Sequence, residues 1–135
     1  MNLIETSIVQ HFSDGDVIVT EGIISNNAYI VLSGEVQITK KVDKKTIVIG
    51  SLKKGDVFGE MGLISQTVRS ATVSAIGDVT VGFIEKENFD RILQSLPEDL
   101  RAIIGALVQR LRSTTDMLTR IGSELDNTRQ SLKAN

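Results

Sequence analysis

Between residues 12 and 85 apolar and polar positions alternate in short runs, and each run closes on a turn sequence. Asp14-Gly15-Asp16 reads as a turn, followed by a brief apolar strand at Val17, Ile18 and Val19. Ser25-Asn26-Asn27 precedes a strand over 28–32, and Ser33-Gly34 breaks the chain before a second strand over 35–38. Val36 and Ile38 alternate with polar neighbours, the pattern of a strand with one buried face. Asp43-Lys44-Lys45 forms a polar tip, residues 46–52 resume a β-rich composition, and Lys53-Lys54-Gly55-Asp56 turns again. Gly77-Asp78 predicts a hairpin between strands over 72–76 and 79–84. Residues 1–8 are expected to form a short helix or an arm on the core. His11, the only histidine, has no candidate partner nearby in sequence and reads as a partly exposed strand residue. Many short strands at this spacing predict a sandwich or jelly-roll.

After Ile84 the period changes. Phe89, Ile92 and Leu93 share one helical face in residues 86–95, and Pro97 stands where a second helix begins, with Glu98 and Asp99 in its first turn. Leu100, Ile104, Leu107, Leu111, Thr114, Leu118, Ile121, Leu125, Thr128 and Leu132 then follow in alternating steps of four and three, the seam of a coiled coil. Such a seam is about 48 Å long at helical rise, more than a small domain covers, so a partner helix from a second copy is expected. Gly105 and Gly122 lower helix propensity, and the last turns are expected to fray.

Composition narrows the class. A length of 135 residues is about one domain, and 41% hydrophobic with 24% charged residues is ordinary for a soluble globular chain. A net charge of −2 gives no global attraction to nucleic acid or anionic membrane. With no cysteine there is neither a disulfide framework nor a thiol nucleophile. No secretory leader or membrane-length apolar run is visible, so a cytoplasmic location without membrane association is expected.

The candidate chemistry lies in residues 58–72, Phe-Gly-Glu-Met-Gly-Leu-Ile-Ser-Gln-Thr-Val-Arg-Ser-Ala-Thr. Gly59 and Gly62 let backbone approach a ligand closely. A one-turn helix from Glu60 would aim amide groups at an anion. Arg69 would add a full charge in a fork that fits phosphate oxygens. Glu60 would repel a bare phosphate but can accept a hydrogen bond from a hydroxyl beside it. An arginine and a glutamate around one glycine-lined turn therefore point to a ligand carrying both a phosphate and a ribose.

This stretch resembles the phosphate-binding cassette of the cyclic nucleotide-binding domain family. It is most similar to the ligand-binding domain of the bacterial catabolite activators through Gly-Glu-Met-Gly-Leu. The likeness covers roughly residues 12–95 and includes the run from Tyr29 to Val36 and Gly55-Asp56-Val57-Phe58. Val68 stands where many members carry proline, which implies a looser turn before the arginine. The resemblance implies an α+β, mainly β fold: a jelly-roll (double-stranded β-helix) over 1–95 with flanking helices, and a long dimerisation helix over 96–135. It also implies that Glu60 takes the ribose 2′-hydroxyl and Arg69 an exocyclic oxygen. Phe58, Gly59, Met61, Gly62, Leu63, Ser70 and Ala71 would complete the cradle. By the same resemblance Thr114 and Thr115 meet the base, one within its own subunit and one across the dimer. Thr114 also occupies a seam position where a polar residue can serve only to fix register.

The resulting expectation is a non-catalytic receptor for a cyclic nucleotide, cAMP or else cGMP. It would form a homodimer through its last helix and pass its output to a separate protein partner. No nucleic-acid binding is expected, since no helix-turn-helix follows the long helix before Asn135. No catalytic residue, metal site or cofactor is expected, because a cupin-like enzyme typically needs a histidine cluster. The alternative is a structural or interaction module that binds no cyclic nucleotide, or a different ligand.

Overall fold

The computed structural model describes residues 8–65 and 68–134; of the helix or arm expected over residues 1–8, Ile8 instead begins a strand and the rest lies outside the described residues. Six strands form one antiparallel sheet: β1 (Ile8–Phe12), β2 (Val17–Val19), β3 (Asn27–Val42), β4 (Lys45–Lys53), β5 (Val57–Phe58) and β6 (Thr72–Glu85). Their order is β1-β6-β3-β4, with β2 on β6 and β5 on β3. A single 3-10 turn, η1 (Glu60–Leu63), follows β5; helices α1 (Lys86–Ser95) and α2 (Glu98–Ala134) close the chain. The chain divides into two compact units between Ile92 and Leu93, within α1.

The core of the first unit sits where β3 and β6 face each other. Val31 pairs with Val81 and Val36 with Ala75, and Val31, Val36, Val79 and Val81 are fully buried. Each such side chain contributes about 1.5–3 kcal/mol relative to exposure. Branched side chains suit these positions because a pleated strand restricts χ1 little further than the branching already does. Asp43 and Lys44 both take positive φ, as a two-residue hairpin with the native strand twist requires.

Two sequence expectations are corrected. Gly77-Asp78 is no hairpin: β6 runs through both residues, and the Gly77 amide donates to Asp14 Oδ1 at 2.7 Å. Ser33-Gly34 likewise ends no strand, since β3 continues through it with irregular register on either side. The two sites lie opposite one another. A Cβ on Gly34 would fall 2.4 Å from the Asp78 carbonyl oxygen, so the strands approach here as only glycine permits. Local turn chemistry was present at both places, but it bends long strands instead of reversing them.

His11 is exposed on β1, its Nδ1 2.9 Å from Thr80 Oγ1. In the second unit, the Pro97 carbonyl accepts the Arg101 amide at 2.8 Å and so begins α2. The helix runs through Gly105 and Gly122 to Ala134. Leu107, Leu118 and Leu125 are more than half exposed along one stripe. No helix among the described residues is long and apolar enough to cross a membrane.

Candidate functional site

The site begins where β5 delivers the chain into η1. Tyr29 on β3 pairs with Phe58 on β5, and their rings stack at 5.0 Å with planes 8° apart. That contact buries Phe58 and fixes the direction in which the chain leaves the sheet. Gly59 then takes φ 73°, a left-handed conformation that costs an L-residue roughly 1–2 kcal/mol. The next residues coil into one turn in which the Gly62 amide donates to the Gly59 carbonyl at 3.1 Å. The amides of Glu60 and Met61 precede that bond and have no acceptor within the turn. Gly62 and Leu63 are buried and Glu60 is exposed.

Arg69 is pinned by its backbone and seated by its side chain. Its amide donates to the Ile23 carbonyl at 3.0 Å, its carbonyl accepts the Gly22 amide at 2.8 Å, and Val68 bridges Ile24. Val68 and Arg69 are therefore paired with residues 22–24, while residues 66 and 67 of the turn expected to be loose lie outside the described residues. The guanidinium donates through Nη1 to the Gly59 carbonyl at 2.8 Å and through Nη2 to the Asn27 carbonyl at 2.6 Å. Only 8% of the residue is exposed. Its Nε–H is buried and has no hydrogen-bond partner among the described residues. Burial pushes the guanidinium pKa below its ordinary value, and the charges of Tyr29 and Glu60 oppose that shift in part.

A buried charged donor without an acceptor is costly, so the arrangement is one that an anion would complete. Two of the five guanidinium donors are held by the protein's own carbonyls, which orient the remainder. Glycine is required around this seat. A Cβ on Gly59 would lie 2.6 Å from Arg69 Nη1, and one on Gly62 would lie 2.6 Å from the Ser25 carbonyl oxygen.

The expected cassette residues thus gather at one place: Phe58 to Leu63 on β5 and η1, Arg69 facing Gly59, and Ser70 and Ala71 beyond it. Ser70 is exposed, and its carbonyl accepts Lys40 Nζ at 2.8 Å. Beside them lies an apolar recess of about 180 Å³, lined among others by Tyr29, Glu60, Leu63, Ile84 and Phe89. Thr114 and Thr115 belong to the second unit, on α2, where their hydroxyls donate to the Arg110 and Leu111 carbonyls, each at 2.9 Å. Asn27 and Lys40 were not anticipated. Asn27 contributes only a backbone carbonyl, for which its side chain gives no cue.

A family model described as the cyclic nucleotide-binding domain matches residues 9–96. The chain is 40% identical over 90 residues to a cAMP-dependent protein kinase regulatory subunit of Candida albicans, across 67% of this chain and 19% of that protein. It spans about a fifth of the length of the curated relatives it matches. Among solved structures, a chain of an EAL enzyme in a half-site-occupied form is 29% identical with a TM-score of 0.75, over 81% of this chain and 98% of that one. The catabolite activator protein of Thermus thermophilus shares the fold at a TM-score of 0.67 and 23% identity, over 89% of this chain and 57% of that one.

Proposed function

The chain belongs to the cyclic nucleotide-binding domain family, and we propose that it is a non-catalytic regulatory domain that binds cAMP. The observation that carries this reading is the buried Nε–H of Arg69, unpartnered among the described residues, in a seat that Gly59 and Asn27 hold in place. An exocyclic phosphate oxygen would satisfy it. Glu60, exposed on the same turn, would accept from the ribose 2′-hydroxyl, and the Glu60 and Met61 amides would face the phosphate. Ser70 and Ala71 would close the far side of the cradle. The relatives named as cAMP-dependent kinase regulatory subunits support cAMP over cGMP.

The sheet is then the jelly-roll of this family. The exposed stripe of α2 would pair with its copy in a second chain, bringing Thr114 and Thr115 to the base. Output passes to a separate protein partner. The alternative is a module that binds no cyclic nucleotide, which leaves Nε without an acceptor, or one that binds a different ligand. Calorimetric titration of nucleotide-free protein with cAMP and with cGMP decides between them: saturable heat with cAMP is expected, and none with either ligand would overturn the proposal.

A further inference from the structure

Six of the eight lysines in the chain, Lys40, Lys41, Lys44, Lys45, Lys53 and Lys54, fall within residues 40–54, where the only acidic residue is Asp43. That segment carries +5 while the whole chain carries −2, which leaves −7 elsewhere. Its second half is β4, a terminal strand of the sheet that pairs, among the described residues, with β3 alone. Ile47, Val48 and Ile49 are 45%, 57% and 58% exposed. Lys40 has local company, donating to the Ser70 carbonyl and lying 3.9 Å from Glu21. The other five lysines form no ion pair among the described residues.

We propose that the open edge of β4 is a docking strand for a short, extended, acidic segment of a partner protein. The unpaired edge offers main-chain hydrogen bonds, the exposed isoleucines and valine offer contacts to alternate side chains, and the lysines at both ends select for acidic flanks. A second copy is the wrong occupant. Self-pairing would bring a second segment of +5 against the first, and like charges across a strand pair destabilise it. A lipid surface is also a poor fit, since open backbone groups are costly against hydrocarbon. A nucleic-acid strand would find no aromatic or arginine in the segment to stack on. A bulge marks the site: Ile38 pairs with Gly50 and Thr39 with Val48, leaving Ile49 as the extra residue. It limits regular pairing to residues 45–48 or 50–53, so the incoming segment is short.

The test is fluorescence anisotropy of the full chain with a labelled nine-residue peptide of alternating Val and Thr flanked by two Glu at each end. Controls are the same peptide with alternate amides N-methylated, a Lys-flanked version, and phosphatidylserine vesicles. The acidic peptide should bind and protect amides of β4 from hydrogen exchange. Lys45→Glu with Lys53→Glu should weaken it about tenfold or more without changing the response to cAMP. N-methylation should do the same, because it leaves charge and side chains intact but removes the pairing. Equal binding of the methylated peptide, no binding of the acidic one, or lysine-dependent capture by vesicles alone would overturn the proposal.

Discussion

Replacing Gly59 with alanine tests whether the arginine seat, and not the glycine turn alone, organises the cassette. Two costs are expected. The left-handed φ of 73° strains any L-residue by about 1–2 kcal/mol. The added Cβ would also lie 2.6 Å from Arg69 Nη1 and 3.2 Å from Cζ, so Nη1 must leave the Gly59 carbonyl. Losing one hydrogen bond from a charged donor costs a further ~1.5–3 kcal/mol, for a total of about 2.5–5 kcal/mol. Gly15→Ala supplies the control, because Gly15 has φ +85° and nothing within 4 Å of its Cβ position. That variant should lose only the conformational part. Equilibrium urea unfolding of both, with cAMP calorimetry alongside, separates the contributions. Gly59→Ala should be the less stable by roughly 1.5–3 kcal/mol and should lose most of its affinity, while Gly15→Ala binds normally. Equal unfolding free energies with equal affinities would refute the seat as described.

Arg69→Ala should weaken cAMP binding by roughly 2–5 kcal/mol through loss of a desolvated partner for phosphate. Glu60→Gln should be milder, since its amide oxygen still accepts; equal losses in calorimetry would contradict the assigned roles. Gly34→Ala, which sets a Cβ 2.4 Å from the Asp78 carbonyl oxygen at φ +87°, should destabilise by about 3 kcal/mol or more in urea melts, and a neutral result would mean the strands can part there. Thr114→Leu should tighten the dimer of the free protein while weakening the nucleotide, whereas Leu118→Asp should lower both. Sedimentation velocity and calorimetry read the two quantities, and unchanged association in both variants would remove α2 from the interface.

Sequence periodicity located α1 at 86–95 and the start of α2 after Pro97, because a helical face is written in neighbouring residues. The cassette was legible for the same reason: Gly59, Glu60, Gly62 and Arg69 are close in the chain. Gly77-Asp78 misled because a two-residue turn and a bend within one strand use the same positive-φ glycine, and only the partner strand distinguishes them. The Asn27 carbonyl under Arg69 was beyond reach, since a backbone acceptor 42 residues away leaves no trace in composition. The unpartnered Nε has the same origin. It follows from how the Gly59 carbonyl and the distant Asn27 carbonyl together orient the fork, not from the identity of residue 69.

The double grip of β3 on the cassette has a consequence for how the protein matures. Near its start β3 supplies the carbonyl that holds Arg69, and near its end Lys40 holds the very next residue, Ser70, across 30 positions of sequence. Contacts of such separation form only after costly loop closure, late in folding. During synthesis, a chain halted just after Ala71 holds every candidate ligand-binding residue of the cassette yet lacks β6, the strand against which β3 is registered from Asn27 to Thr39. Nucleotide capture by ribosome-bound chains should therefore begin abruptly, once β6 has emerged, and so time-stamp the completion of the sheet.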